Sequence, residues 1–412
     1  MGIEYGERRS TFIDYGRPSL FLDFAKRKSL VDAISKNNLI TFTRSSTGTY
    51  VGSDGLIKTA AADEARFDHN PDTLESLGLL IEESRTNLVT YSGEYNSSFW
   101  NILKTTPEPS NISLDSPDGG NDAWEYPIGA SNRLQRNFAT TVGQTYTLSF
   151  FAKQGNGSGI YSYSGILSDD RDPGGVIYDW NTDTLYSGWS KKDYANGWSR
   201  FYKSYTSITS DTFILRFDTG SGGVYFWGLQ VEQGAFPTSY IPTSGSAVTR
   251  QPDNAQITGT NFTDWYNATE GTIFTEFSAK TNTTGYPGVY WFNNNLTVSR
   301  GFALVKETSP QTRVFQRGDD GVLKRVSFSE NIPDSTFAKA SVFYTNSEIG
   351  GSQNNAFQSP TSITSPYSVN RLYIGYHNSG GGVAPLHLNS HIKQLLYYPT
   401  RLTNTQLQAL TQ

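Results

Sequence analysis

TYTLSFFAKQ, Thr145 to Gln154, places Tyr146, Leu148 and Phe150 on alternate positions, with Thr147 and Ser149 between them. Successive side chains of a strand point to opposite faces, so this spacing predicts a strand with one face buried. Similar segments stand on either side: RLQRNFAT, GIYSYSGIL, GVIYDWN, TLYSGWS, WSRFYKSYTSI, TFILRFDT and VYFWGLQVEQ. They recur at roughly ten-residue intervals with Gly, Asp, Asn or Ser between them, as strands of a sandwich do. A further unit begins at about Gly259, and within it GTIFTEFSAKT, PGVYWFNN, RGFALVKET, TRVFQRG, ASVFYTN, RLYIGYHN and HIKQLLYYPTRL read as short strands. The expected fold is all-β, with two antiparallel β-sandwich (jelly-roll) domains preceded by an amino-terminal arm and hairpin module.

Composition agrees. The chain has 412 residues, long enough for two or three domains. Charged residues make up 17%, below the roughly 25% of ordinary soluble domains. Gly (39), Tyr (25) and Phe (24) stand in their place, supplying turns and side chains that suit pleated sheets. A net charge of −5 argues against nucleic acid or an anionic membrane surface as partner. No cysteine occurs, so stability is expected from burial and assembly rather than disulfides. The amino-terminal MGIEYGERRSTFIDYG carries no apolar run of a secretory signal, and no stretch has the roughly 18 apolar residues of a membrane span. Synthesis in a cytoplasm is the expectation.

Four units are expected along the chain: a docking arm over 1–45, a lead-in hairpin module over 46–92, and sandwiches over 93–252 and 253–412. Within the arm, SLFLDF reads as a short strand, and Leu30, Ala33 and Ile34 predict a helix around Ser29 to Lys36. Such an arm buries little by itself and is expected to pack on the next domain or on a partner. In the hairpin module, Ser53-Asp54-Gly55 reads as the tight turn between two strands. At the carboxyl end, TRLTNTQLQALTQ predicts a helix capped by Thr403, with Leu402, Leu407 and Leu410 apolar.

The run TFTRSSTGTYV…DGLIKTAAADEARFDH, ending in SLGLLIEESRTNLVTYS, resembles the lead-in module of bacteriophage tail-fibre, spike and head-decoration proteins. Together with the arm it covers residues of roughly 18 to 92. In that module LLIEESRTNLVTYS opens a β-sandwich, and the distant VEQGAFPTSYIPTSGSAVTR, Val231 to Arg250, closes it. TYTLSFFAK, GWSRFYKSYT and VYFWGLQVEQGAFPTSYIPT, in that order, are similar to carbohydrate-binding-module-like jelly rolls. GTIFTEF, NRLYIGY and HIKQLLYYPTRLTNTQLQAL resemble concanavalin A-like (laminin-G-like) sandwiches.

Reactive chemistry is sparse. His387 and His391 are four apart in a segment that reads as strand, without the Glu of a zinc-protease helix. No G-x-S-x-G elbow, Walker loop or dinucleotide fingerprint occurs. Asp169, Asp170 and Asp172 in LSDDRDPGG could supply the paired carboxylates of a polysaccharide hydrolase, though such a turn is ordinarily a solvated loop. Asp115, Asp118 and Asp122 in LDSPDGGNDAW could supply oxygen ligands to calcium, or form a plain series of turns. Sugars offer apolar C–H faces and hydroxyl rims, which aromatic platforms flanked by amides and carboxylates hold well. The rings singled out for that role are Tyr161, Tyr163, Trp180, Trp189, Tyr290, Trp291 and Tyr376, each with core packing as its plainer alternative.

The resemblance implies a non-enzymatic virion structural protein, a fibre or spike appendage that binds host-surface polysaccharide. Alternatives are a capsid head-fibre or decoration protein with adhesion modules, and a polysaccharide depolymerase. It also implies self-association as a homotrimer, attachment to other virion proteins through the arm, and assembly in a bacterial cytoplasm. No cofactor is expected, calcium aside, and no nucleic acid or membrane insertion.

Overall fold

A computed structural model describes residues 15–412 apart from 96–98, 104–109, 112–114, 127–132, 156–158, 163–174, 187, 195, 208–211, 220–222, 282–284, 295–299, 310, 319, 364–367 and 378–384. The protein is all-β, built as two antiparallel sandwiches. The inner one lies wholly between residues 101 and 233. Its first sheet runs Ser190–Asp193, Ser199–Thr206, Thr145–Gln154, Val224–Gln233, Trp124–Tyr126, Ser110–Asn111. Its second runs Thr184–Leu185, Gly175–Asp179, Gly159–Ser162, Thr212–Thr219, Arg133–Ala139, Asn101–Leu103.

Both faces of Thr145–Gln154 are buried, not one. Leu148, Phe150 and Ala152 enter the core between the sheets, while Phe151 joins Tyr194, Trp198, Trp227 and Tyr240 on the other side. The polar residues on that outer face survive burial because each finds a partner. Thr147 Oγ1 donates to the Gly234 carbonyl at 2.7 Å, and Ser149 Oγ accepts from Arg200 Nη2 at 2.8 Å.

The outer sandwich is discontinuous in sequence. Its seven-stranded sheet starts with Thr41–Thr43, followed by Asn254–Thr258, Arg371–Ile374, Gly288–Asn293, Gly301–Lys306, Thr312–Arg317 and Leu323–Ser327. In its eight-stranded sheet, Ser390–Tyr398 lies beside Glu270–Phe277 on one edge. Its other edge is shared by Leu20–Asp23, opposite residues 394–397, and Ser76–Ile81, opposite residues 390–392. Leu20, Leu22, Leu79 and Ile81 are thereby part of the same core as Ile273, Leu372 and Leu395. The arm expected over 1–45 and the module expected over 46–92 therefore contribute strands to the sandwich of the carboxyl-terminal half. The inner sandwich is an insertion in it.

The helix expected at Ser29–Lys36 does not form. Asp32 instead spends its carboxylate on two main-chain amides, Phe21 N at 2.8 Å and Ser35 N at 2.6 Å, which fastens a turn against the strand. The residues that do turn helical are Phe24–Arg27, capped by the side chain of Asp23. The hairpin at Ser53-Asp54-Gly55 is present between Gly48–Val51 and Ile57–Ala60. The terminal helix is present too, as Asn404–Leu410, with Thr403 and Gln406 forming a capping box.

The chain leaves the outer sandwich along LLIEESRTNLVTYS and returns along VEQGAFPTSYIPTSGSAVTR, and the two stretches zip together. Arg85–Asn87 pairs antiparallel with Val248–Arg250, and Tyr91 bridges Ser244. Asn87, fully buried, donates to the Leu229 and Ile241 carbonyls and accepts from Val89 N and Val231 N. Gly234 has φ +142°, a conformation that L side chains rarely adopt, and the Arg85 guanidinium lies over the side where a Cβ would stand.

At the base of the zip lies a buried ion cluster. Asp253 Oδ1 accepts from Arg44 Nη1 at 2.9 Å, and Oδ2 accepts from Arg66 Nη2 and from Glu82 N. Glu82 meets Arg66 Nη1 at 2.8 Å and Arg250 Nη2 at 3.5 Å, and accepts from both N and Oγ of Ser239. Burial opposes the Glu82 charge, yet Arg250 and Arg66 hold its carboxyl well below the usual carboxylate range.

Two outcomes follow for stability. Asp253→Ala leaves Arg44 and Arg66 buried without their shared partner, so a loss of about 3–5 kcal/mol is expected in urea denaturation; a loss under about 1 kcal/mol would contradict the cluster's role. Expressed alone, residues 259–412 lack Leu20–Asp23 and Ser76–Ile81 and are expected to be insoluble or unfolded by circular dichroism. A soluble, protease-resistant 259–412 fragment would show that those strands are dispensable.

Candidate functional site

A cleft of about 480 Å³ opens between the two sandwiches. The outer sandwich supplies Asp68 from Phe67–His69, His391 from Ser390–Tyr398, and Lys280 and Phe337 from the segments after Glu270–Phe277 and before Ala338–Thr345. The hairpin contributes Tyr50, Val51 and Ile57. Facing them are Lys192 from Ser190–Asp193, Tyr194, and Arg200 and Tyr202 from Ser199–Thr206, with Thr238 and Ser239 of the returning stretch at the back.

Each wall is held rigidly. Val51 and Ile57 pack into the cluster of Phe151, Tyr194, Trp198, Trp227 and Tyr240, which joins the hairpin to the inner sandwich. Asp68 accepts from Val51 N at 2.6 Å through Oδ1 and meets His391 Nε2 at 2.7 Å through Oδ2. Burial pushes the Asp68 carboxyl up, but His391, Lys192 and the Val51 amide together outweigh it and the group lies below the usual carboxylate range. Arg200 donates to the Thr238 carbonyl at 2.7 Å and to Ser149 Oγ at 2.8 Å, with its guanidinium 5.3 Å from the Phe151 ring centroid. Tyr50, Tyr202 and Phe337 are half-buried, so part of each ring is open to the cleft.

The rings singled out in the sequence lie elsewhere. Trp189 is in the inner core, edge-on to Phe150, and Trp180 is half-buried, edge-on to Tyr178. Tyr290 is fully buried between the outer sheets. Trp291 stacks on Tyr373 at 5.2 Å and Tyr376 on His387 at 5.4 Å, both buried on the other face of the seven-stranded sheet. Trp189, Tyr290, Trp291 and Tyr376 are therefore packing groups and not open platforms, because their large apolar area is worth more inside than out. The Tyr161 side chain and the whole of Tyr163, Asp169, Asp170 and Asp172 lie outside the described residues.

The aspartates considered for calcium are not brought together as a trio, although Asp118 and Asp122 both face Gly120. Asp118 accepts from Ser116 Oγ and Gly120 N within its own turn, Asp122 accepts from Trp227 Nε1 at 3.0 Å, and the Asp115 carbonyl accepts from Trp198 Nε1. Among the described residues no group of three His, Cys, Asp or Glu side chains could hold a metal ion. His387 stacks on Tyr376 whereas His391 turns to Asp68, so the spacing of four makes no pair.

The cleft residues escaped sequence reasoning because they come from segments far apart in the chain. Only the Lys191-Lys192 doublet, next to a strand rich in Tyr and Arg, hints at it.

No protein-family model and no curated protein matches the chain. Among solved structures it is similar to the Ruminococcus gnavus IT-sialidase CBM40 bound to alpha2,3 sialyllactose, at 14% identity and TM-score 0.31, over 35% of this chain and 83% of that one. It is also similar to the receptor-binding domain of botulinum neurotoxin D, at 7% identity and TM-score 0.30, over 38% of this chain and 40% of that one. Likenesses this distant assign neither site nor ligand.

His377 makes the acid response testable. It is buried edge-on to Trp291 and Phe315, and burial, aided by Arg313, lowers its pKa to about 4. An unfolded imidazole titrates near 6.5, so the unfolded chain binds the extra proton between those values. The stability is present in full above about 6.5 and falls as pH drops towards 4, by on the order of 3 kcal/mol. Urea midpoints measured from pH 7 to 4.5 should decline in wild type and decline less in His377→Phe. Parallel curves would mean the imidazole is not held neutral.

Proposed function

We propose that this chain is a non-enzymatic structural appendage of a phage particle, and that the cleft between its sandwiches binds a host-surface glycan. The observation that carries the reading is the combination inside the cleft. Partly open rings of Tyr50, Tyr202 and Phe337 stand beside hydroxyl, amide and charged groups, the mixture that suits a sugar's apolar face and polar rim. Hydrolysis would call for two carboxylates facing one glycosidic bond. The acids lining the cleft are otherwise engaged: Asp68 with His391, Glu82 with Arg66 and Ser239, and Glu75 with Lys393.

The virion assignment rests on the resemblance of residues 18–92 to phage lead-in modules. A single open cleft binds weakly, and several copies on one particle would raise avidity, which suits a homotrimeric fibre. Placement on the head as a fibre or decoration is the alternative within the same class.

The full chain, titrated against polysaccharide stripped from a susceptible host, should bind saturably and release no reducing ends. Tyr202→Ala with Phe337→Ala should weaken binding about tenfold, the loss of roughly 1.4 kcal/mol of ring contact. Release of reducing ends would overturn the non-enzymatic reading, and absence of binding would overturn the glycan reading. Gold-labelled antibody on purified particles should mark the tail or the head; unlabelled particles would remove the virion assignment.

A further inference from the structure

The charge of the cleft narrows the ligand, an inference that rests on the glycan-binding reading above. Lys192 and Arg200 are directly opposed across Ser190–Asp193 and Ser199–Thr206. Like charges at opposed positions of an antiparallel pair are destabilising unless something of opposite sign sits over them. Lys280 reaches the same cleft from the other sandwich.

None of the three forms an ion pair with a carboxylate among the described residues. Arg200 is 8% exposed, donates only to the neutral oxygens of Thr238 and Ser149, and leaves its buried Nε without a partner. The Lys280 ammonium lies 5.6 Å from the Phe236 ring centroid. Of the acids near them, Asp68 is already held by His391 and by Val51 N, and Asp334, whose charge reaches Lys280, accepts from Thr281 N and Oγ1. Lys191 differs, because Asp193 at 3.1 Å and Asp183 at 3.7 Å compensate it. Elsewhere in this acidic chain, buried arginines such as Arg44 and Arg66 are matched by Asp253 and Glu82. An unmatched cationic group in a cleft is therefore a departure from the molecule's own pattern, and burying a charge without a partner is costly.

We propose that the cleft binds an acidic saccharide, whose anionic substituent lies between Lys192 and Lys280 over the field of Arg200, with the sugar ring against Tyr202 and Phe337. Electrostatics and geometry agree here. Although its side chain reaches solvent, Lys192 is held below the usual lysine range by the surrounding protein and by Arg200 and Lys280, with Asp68 pulling the other way. An anion in the cleft relieves that repulsion.

The test uses the full chain and matched probes by calorimetry: polygalacturonate oligosaccharides against their carboxyl-reduced forms, and sulfated dextran against dextran. Ionic strength is kept at about the physiological value, so that long-range attraction is screened. At least one anionic member should bind about tenfold tighter than its neutral partner, and the pair that responds tells carboxylate from sulfate. Lys192→Ala with Lys280→Ala should abolish that preference, and because it removes the Lys192–Arg200 repulsion it should hold or raise the thermal midpoint, so that the loss is not one of folding. Equal binding of charged and neutral members overturns the acidic-saccharide proposal and leaves the glycan reading standing. Equal binding of polyglutamate overturns it too, since the cleft would then read charge alone. If no probe binds, the proposal falls; if host polysaccharide also fails to bind, the glycan reading falls with it.

Discussion

Asp253 is the point on which the arrangement of the molecule turns. Its two oxygens are shared between Arg44, Arg66 and the amide of Glu82, and Glu82 in turn faces Arg66, Arg250 and Ser239. These residues come from the hairpin region, the stretch that leaves the outer sandwich and the stretch that returns to it. Charges buried this deeply are tolerated only with their partners in place, so a shift of one stretch against another would strand at least one of them. The cluster thus ties the register of the crossing to the folding of both sandwiches.

From that constraint the cleft follows. Once the two crossing stretches are paired, the hairpin is pressed onto the aromatic cluster around Phe151 and Tyr240, and the strand bearing Asp68 is brought opposite the strand bearing Arg200. Neither sandwich contains the cleft by itself. Lys192 and Arg200 belong to the insertion, and Lys280, Phe337 and His391 to its host, so the site exists only in the assembled chain. The same assembly separates two fates for aromatic side chains. Rings such as Tyr290 and Trp291 are drawn into cores, while Tyr50, Tyr202 and Phe337 at the junction keep an exposed part.

Much of the local structure was legible in advance. The strand at Thr145–Gln154, the turn at Ser53-Asp54-Gly55 and the Thr403 cap each depend on neighbours a few residues away, and each is present, although the strand buries both faces and not the one its alternation predicts. The failures share a cause as well. Leu30, Ala33 and Ile34 have helical spacing, yet the Asp32 carboxylate reaches Phe21 N across the chain and holds a turn. The first ninety residues read as an arm and a module, because nothing local to Leu20–Asp23 says that its partner is Ser390–Tyr398. Periodicity shows that a side chain is buried or exposed on average, but not which of two cores receives it.

By itself the sequence determined the kind of structure: strands, turns, caps and an all-β body of two sandwiches, because those follow from short-range periodicity and turn chemistry. It also carried the two stretches, Leu79 to Ser92 and Val231 to Arg250, that mark where the chain crosses between sandwiches. Only the tertiary structure decided that one sandwich is inserted in the other and that its cleft gathers Asp68, Lys192, Arg200, Lys280 and His391. The physical reason is separation along the chain: pairings across hundreds of residues, 323 between Asp68 and His391, are chosen by burial and charge matching in three dimensions and leave no local pattern.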